Sequence, residues 1–264
     1  MLKSLYTTAT GMKAQQTMVD MIANNIANVN TSGFKKSQAS FEDLFYVTLQ
    51  SPGLARGTGG DAVPIGTQIG SGTRLNGTTK VFTTGTLEIT ERSLDVAIDG
   101  DGFFAVILPD GSTGYTRDGN LHLNADGKLV TGAGNVVTPE ITVPSDTLEI
   151  SIDPEGRVSG RTAGSPDTST VFGQLTIHRF VNPSGMLATG SNVMRPTEAS
   201  GQPTTGTPGQ SGLGLLKQGF IERSNVQIVN ELVNLIVAQR AYEVNSRAIQ
   251  ASDQMLSTAT NLSR

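Results

Sequence analysis

The two ends of the chain share one pattern, an apolar residue at every seventh position. The residues concerned are Leu5, Met12, Val19 and Ile26 near the start, and Ile228, Leu235, Tyr242, Ile249 and Leu256 near the end. A strict seven-residue repeat drifts around a straight α-helix, so it favours helices that supercoil against a partner. We therefore predict helices over residues 2–30 and 225–260, with these side chains in the subunit-packing face.

The region between the two predicted helices has a different pattern. Glycine is abundant, at 31 of 264 residues, and Asp-Gly pairs occur at 110–111, 118–119 and 126–127 between short apolar runs. Asp-Gly is a strong signal for a tight turn between two antiparallel strands. This spacing predicts a succession of short β-hairpins.

Together these patterns predict an α+β fold. Long N- and C-terminal helices form a coiled-coil-like domain, and an all-β middle domain of short hairpins is inserted between them. The predicted boundaries are residues 1–33 with 225–264 for the helical domain, 34–75 with 200–224 for an extended linker that carries an insertion, and 76–199 for the β-rich domain. In the alternative arrangement each helix lies on the β domain, which requires only a looser apolar stripe.

Composition and motifs argue against most kinds of chemistry. The formal net charge is -4 and no basic run occurs, so we expect no nucleic-acid partner. The chain has no cysteine, and no apolar run approaches the roughly 20 residues that span a bilayer. His122 and His178 stand alone in predicted strands, while Asp99 and Asp101 lack the later ligands of a calcium loop. We therefore expect no enzyme activity, cofactor, metal or small-molecule substrate.

Both ends of the chain resemble the terminal signatures of one protein family. The quoted stretches are SLYTTATGMKAQQTMVDMIANNIANVNTSGFKK and QGFIERSNVQIVNELVNLIVAQRAYEVNSRAIQASDQML. They are similar to the N- and C-terminal signatures of the bacterial flagellar axial family, the rod and hook proteins. The middle stretch DVAIDGDGFFAVILPDGSTGYTRDGNLHLNADGKLVT resembles the β segment that this family shares.

The resemblance implies a structural subunit of the flagellar basal-body distal rod, which polymerises into a rigid hollow helical drive shaft that transmits torque from motor to hook. The length of the chain also suits the last proximal-rod protein. The residues alone leave a second class open, a β-rich binding or adhesin module with oligomerising helices.

The resemblance also implies partners and a location. The partners are further copies of the chain, proximal rod proteins at one end, hook protein at the other, the surrounding P- and L-ring bushing, and the flagellar type III export machinery. The location is the basal-body rod, crossing the periplasm to the outer membrane, and export proceeds without a cleaved signal peptide.

Residues 41–72 resemble a segment of the rod-type members, and this resemblance implies that the segment stiffens the rod. The positions that carry the expectation are Pro52, Gly53, Leu54, Arg56, Asp61 and Pro64. The segment is rich in glycine and has little charge, so we expect neighbouring subunits to hold it in place.

Asparagine is concentrated at the end of the first predicted helix, although it is a poor residue for a helix interior. One hypothesis is that Asn24, Asn25 and Asn28 form hydrogen bonds between subunits and set the helical stacking, as a buried asparagine sets register in a coiled coil. The alternative is a helix C-cap, in which Asn30 or Gly33 adopts the left-handed conformation.

Overall fold

The structure is a computed structural model that describes residues 2–51 and 65–262. In this part of the chain two α-helices, α1 (Leu2–Ala27) and α2 (Ile228–Leu262), flank twenty β-strands. A single 3-10 turn at Pro183–Gly185 lies among the strands.

The strands, in chain order, are β1 (Ser37–Asp43), β2 (Tyr46–Gln50), β3 (Thr67–Gly70), β4 (Thr73–Lys80), β5 (Leu87–Ile89), β6 (Val96–Asp99), β7 (Phe104–Ile107), β8 (Thr113–Thr116), β9 (Leu121–Leu123), β10 (Leu129–Thr131), β11 (Val136–Thr138), β12 (Thr147–Ile152), β13 (Arg157–Thr162), β14 (Ser165–Gln174), β15 (Ile177–Arg179), β16 (Leu187–Gly190), β17 (Val193–Arg195), β18 (Thr204–Gly206), β19 (Leu215–Gln218) and β20 (Phe220–Glu222). The largest sheet has seven strands in the order β16-β17-β8-β7-β11-β10-β9, and β12-β13-β14 form a second sheet. The remaining sheets are the two-stranded pairs β1-β4, β2-β3, β5-β20, β6-β19 and β15-β18.

The chain divides into two compact units. Unit 1 comprises the described residues of Met1–Ile26, Ser37–Thr79 and Ile228–Arg264. It therefore contains nearly all of both helices together with the pairs β1-β4 and β2-β3. Unit 2 comprises Ala27–Lys36 and Lys80–Gln227 and holds the other sheets.

The predicted hairpin turns form at two of the three Asp-Gly pairs. Gly111 and Gly127 have positive φ angles of 79° and 74° and turn β7 into β8 and β9 into β10. The prediction is wrong at the third pair, since β8 and β9 are not neighbours in their sheet. At that pair the backbone of Gly119 approaches Val96 so closely that a Cβ would lie 1.7 Å from the Val96 carbonyl oxygen. Glycine is needed there for close approach of two backbones rather than for a turn.

The core of unit 2 is apolar and almost completely shielded from solvent. Its fully buried side chains include those of Val96, Phe104, Val106, Leu121, Val137, Val158, Leu175 and Ile177. A second, aromatic cluster contains Phe103, Tyr115 and Phe180, with the Tyr115 and Phe180 rings packed edge to face at 4.8 Å. Alternating apolar strand residues thus produce the core that the β pattern predicts.

The predicted α+β class, with a coiled-coil-like helical domain and an inserted β domain, is wrong. The chain is mostly β-strand, and its two helices share unit 1 with four strands instead of forming a long coiled coil. The physical reason is that the apolar seven-residue row of α2 lies beside polar and small residues. The most deeply buried positions of α2 are Glu231, Ala238 and Ser252, whereas Leu235, Ile249 and Leu256 of the predicted row are only half-buried. The described part of α2 therefore lacks the fully apolar seam that holds a long coiled coil together.

Candidate assembly interface

The residues that the sequence assigns to subunit packing occupy intermediate positions in the single chain. Half-buried are Leu5, Met12, Val19, Ile26, Leu235, Ile249 and Leu256, whereas Ile228 and Tyr242 are exposed. The structure brings Val19 and Tyr242 together, because both line one shallow groove with Gln16, Gln239 and Glu243.

Small and polar residues take part in the contact between α1 and α2, in addition to the half-buried apolar row. The Ser4 and Ser252 hydroxyl oxygens lie 3.5 Å apart. A Cβ on Gly11 would lie 3.1 Å from Asn245 Nδ2, so the two helices approach closely there. The pairs Ser4–Ser252 and Gly11–Asn245 run in opposite directions along the chain, so the helices are antiparallel. Sequence reasoning missed these residues, and the signal that could have found them is the small-residue row on α2.

The opposite face of α2 presents large apolar side chains to solvent. The exposed aliphatic residues of its first five turns are Ile228, Val229, Leu232, Val233, Ile236, Val237 and Val244, and we call this set the apolar face of α2. Val229 has 73% of its surface exposed and Ile236 has 57%. A helix that is apolar on both sides is typical of one that is surrounded by protein. The apolar face of α2 is therefore uncovered in the single chain.

The asparagines at the end of α1 differ in their surroundings. Asn25 is buried, and its side-chain amide donates to Ser37 O and accepts from Ser37 N, each at 2.9 Å. Asn28 is half-buried, and its Oδ1 accepts a hydrogen bond from the Thr31 hydroxyl at 3.2 Å. Asn24 is exposed. An intersubunit bond from any of them remains a prediction, and for Asn25 it would have to replace or share bonds within the chain.

Two further residues concern the end of α1. The structure gives the left-handed conformation to Gly33, with φ of 68°. A Cβ there would lie 2.7 Å from the backbone of Arg117, so only glycine fits. Asn30 is exposed and accepts a hydrogen bond from Arg223 at 3.1 Å.

Unit 2 contains a buried ionic cluster that the sequence gives no sign of. Glu222 accepts hydrogen bonds from Lys35 Nζ at 2.6 Å and from Arg117 at 3.2 Å. All three side chains are at most 2% exposed. Lys35 lies in the first segment of unit 2 and Glu222 near the end of the second, so the cluster joins the two segments that make up this unit.

The remaining polar groups of this cluster are largely satisfied by backbone. Lys35 Nζ also donates to Thr83 O at 2.7 Å, and the amide of Gly85 donates to Glu222 at 2.8 Å. Arg117 donates to Gly100 O at 2.7 Å. Burial lowers the pKa of Lys35, and the adjacent Glu222 carboxylate opposes this shift. Two cations thus share one carboxylate inside the protein, so removal of that carboxylate would leave both unpaired.

The predicted stiffening residues Pro52, Gly53, Leu54, Arg56, Asp61 and Pro64 lie outside the described residues. The chain on either side of them forms the antiparallel pair β2-β3. Every residue of β2 is exposed, and Phe45 before it is 92% exposed. An isolated two-stranded hairpin is marginally stable in water, so this one requires a partner surface.

The candidates for chemistry have structural roles. His178 is buried, its Nδ1 lies 2.9 Å from the Thr205 hydroxyl, and burial lowers its pKa. Asp99 pairs with Lys217 at 2.7 Å and Asp101 with Arg179 at 3.8 Å. Among the described residues no group of three histidines, cysteines or carboxylates is placed to hold a metal ion. Neither helix of the described chain is long and apolar enough to cross a bilayer.

Comparison with family models gives three matches along the chain. Residues 5–35 match the flagella basal body rod protein model, and residues 97–160 match the D1 domain of the flagellar hook protein FlgE/F/G model. Residues 217–262 match the C-terminal model of the flagellar basal body rod FlgEFG proteins. The first match covers α1 from residue 5 onward, the third contains α2, and the second lies in unit 2.

Several curated proteins are similar over the whole chain. The flagellar basal-body rod protein FlgG of Borreliella burgdorferi is 47% identical over 266 residues, covering 100% of both chains. That of Bacillus subtilis is 41% identical over 272 residues, also covering 100% of both chains. The flagellar hook protein FlgE of Helicobacter mustelae is 45% identical over 141 residues, which is 52% of this chain and 30% of the hook protein.

Proposed function

The chain belongs to the family of flagellar basal-body rod and hook proteins, and from that premise we propose that it is a structural subunit of the distal rod. In this proposal copies of the chain polymerise into a rigid hollow helix that carries torque from the motor to the hook. Full-length similarity to rod proteins, against partial similarity to a hook protein, supports the rod rather than the hook.

The observation that carries the proposal is the apolar face of α2. Large patches of exposed apolar surface mark sites of protein association. Copies related by a rotation that does not close form an open helix, in which every such face can be covered by a neighbour. We further propose that the terminal helices lie innermost in this helix, where neighbouring copies cover the apolar face of α2.

The same proposal includes partners and location. Proximal rod proteins bind at one end of the polymer and hook protein at the other, within the basal body and inside the P- and L-ring bushing. The chain reaches that place through the flagellar type III export machinery without a cleaved signal peptide. Its lack of cysteine means that no disulfide hinders passage of an unfolded chain.

Electron microscopy of the concentrated full-length protein tests the proposal. We expect tubes or filaments, and discrete particles would instead favour a binding or adhesin module. Val233→Asp places a charge in the apolar face of α2 and should abolish polymers, because a buried unpaired charge is strongly unfavourable. The matched control is Asn234→Asp, which adds the same charge at the next position, outside that face, and should polymerise normally.

The position of the chain in the rod requires a second measurement. A cryo-electron microscopy map of native basal bodies should place the chain in the distal rod. Density only in the last proximal section would contradict the distal assignment while leaving the rod assignment intact.

A further inference from the structure

The two outer edges of the sheet β12-β13-β14 differ, because a side chain covers one edge and not the other. The β12 edge is blocked by a side chain, since Gln218 accepts from Ile152 N at 3.0 Å and donates to Ile150 O at 2.8 Å. The Gln218 amide thereby takes the place of a neighbouring strand. A third bond, from Gln218 to Ser93 O at 2.7 Å, fixes the amide in that position.

The β14 edge has no such cover. No strand of the described residues pairs with its outer side. At ten residues it is the longest strand among the described residues, and after Asp167 its residues 168–174, TSTVFGQ, contain no charge. Proteins usually protect a long edge with charges or with a covering side chain, so an open uncharged edge is a template for another strand.

The hydrogen-bond pattern shows which β14 groups face outward. Because Ile150 O and Ile152 N are bound by Gln218, they point away from β13. In an antiparallel ladder, the backbone groups of successive residues point alternately to one neighbouring strand and to the other. Gly160 lies opposite Ile150, so its backbone groups point away from β12 and bond to Thr170 of β14. The backbone groups of Ser169 and Val171, on either side of Thr170, therefore point outward.

The hairpin β2-β3 has the same asymmetry. On β3 the carbonyl oxygen of Ile69 accepts a hydrogen bond from Lys3 Nζ at 2.8 Å, which places a charged side chain on that strand. On β2 every residue is exposed, and its sequence YVTLQ has no charge. Among the described residues, β14 in unit 2 over residues 168–174 and β2 in unit 1 are thus both exposed strands with an open edge that carries no charge.

We propose that β2 of one copy adds to the β14 edge of a second copy and extends the sheet β12-β13-β14 to a fourth strand. The inference rests on the proposed polymer and gives it a specific contact. Main-chain hydrogen bonds supply the affinity in such strand addition, and neighbouring side chains supply the specificity. The exposed Tyr46 of β2, which lies on the same face as Thr48, meets Val171, which is 61% exposed on β14.

The contact is heterologous, because each copy offers β2 to one neighbour and β14 to another. Such contacts propagate into an open polymer, whereas pairing of β14 with β14 would give a closed two-fold dimer. The β2 strand of a second copy is the occupant that fits, since its outer edge is also open and uncharged and a two-stranded pair gains stability from a third strand.

Thiol crosslinking between two variants tests the contact, because the natural chain has no cysteine. Chains with Ser169→Cys and chains with Thr48→Cys are mixed, polymerised and treated with a crosslinker that spans about 8 Å, the reach of direct and diagonal strand neighbours. We expect crosslinked pairs that contain one chain of each kind. The matched control replaces Ser169→Cys by Ser151→Cys on the blocked β12 strand and should give few.

The outcomes separate this contact from the proposed function. Polymers without the Ser169–Thr48 crosslink, or with equal crosslinking at position 151, overturn the strand addition alone. Crosslinks only between two Ser169→Cys chains show β14 pairing with itself and also overturn it. A chain that never polymerises overturns the proposed function together with this contact.

A pair of proline variants tests which groups face outward. Ser169→Pro removes an outward N–H and should leave the unfolding midpoint unchanged. It should raise the concentration needed for polymerisation about tenfold, the factor expected from one lost backbone hydrogen bond. Thr170→Pro removes an N–H that bonds to β13 and should lower the unfolding midpoint as well. Equal unfolding midpoints in the two variants, or normal polymerisation of Ser169→Pro, would overturn the assignment.

Discussion

The two units of the molecule are built on opposite principles. Unit 2 buries apolar side chains such as Phe104 and Leu121 completely and satisfies its buried charges internally. Unit 1 buries small and polar residues between its helices and presents the apolar face of α2 to solvent. The apolar core of unit 2 is therefore already shielded in a single copy, whereas unit 1 exposes an apolar surface of the kind that marks a site of protein association.

This difference teaches where stability resides before and after assembly. A domain that shields its apolar residues from water obtains its stability from its own fold. A helix whose apolar residues remain exposed gains that stabilisation only when another copy covers them. In the free monomer, unit 2 can thus be stably folded while unit 1 becomes ordered only during polymerisation.

Amide hydrogen exchange of the monomer should show the largest contrast. We expect amides in the core strands of unit 2 to exchange only through near-global opening, about 5–15 kcal/mol. Amides of α2 should exchange through local openings of about 2 kcal/mol or less, because little apolar surface holds the helix in place. Strong protection of both terminal helices in dilute monomer would break the comparison.

The second largest expected effect is the loss of stability when the ionic cluster of unit 2 is broken. Glu222→Ala leaves Lys35 and Arg117 buried without their carboxylate, and the free energy of unfolding should fall by about 3–5 kcal/mol. The matched control is Glu88→Ala, which removes the exposed partner of Arg223 and should lower it by less than about 1 kcal/mol. Urea unfolding of the monomer measures both, and similar losses would show that unit 2 does not depend on the cluster.

A pair of leucine truncations compares the two units directly. Leu121→Ala creates a cavity in the core of unit 2 and should lower the free energy of unfolding by about 3 kcal/mol. Leu232→Ala removes an equal side chain from the apolar face of α2, and the monomer should lose less than about 0.5 kcal/mol. For polymerisation we expect the reverse order, so that Leu232→Ala reduces assembly more than Leu121→Ala does. Equal effects on the monomer would mean that α2 is already covered in the single chain.

The smallest expected effect is on the pH dependence of the stability of unit 2. The ordinary pKa of histidine is 6.5, and burial lowers the pKa of His178 in the folded protein. The unfolded chain therefore binds this proton first, so stability is full above pH 6.5 and is lost as the pH falls toward the folded pKa. His178→Gln should remove this part of the acid sensitivity in melting curves, and an unchanged acid sensitivity would contradict the prediction.

The sequence predicts some features well, because they depend on local chemistry. Both helices lie where the seven-residue rows indicate, although α1 already ends at Ala27. The turns at Gly111 and Gly127 follow from Asp-Gly, since a tight turn needs only its own residues. The family resemblance was confirmed by full-length relatives.

Other features depend on contacts that the sequence does not encode locally. Gly119 resembles a turn residue, but its role is set by the distant backbone of Val96. The fold class was wrong because the apolar seven-residue row was taken for a complete coiled-coil seam, whereas α2 buries Ala238 and Ser252 beside it. No spacing rule links Lys35 to Glu222, so the cluster could be found only in three dimensions.

That separation along the chain has a consequence for the order of events. Lys35 and Glu222 are 187 positions apart, and their ion pair joins the first segment of unit 2 to the end of its second. Because contacts between distant residues must wait until the chain between them has been brought together, this pair can form only after most of unit 2 has been gathered. Closing the buried ionic cluster is therefore a late step in the folding of the chain.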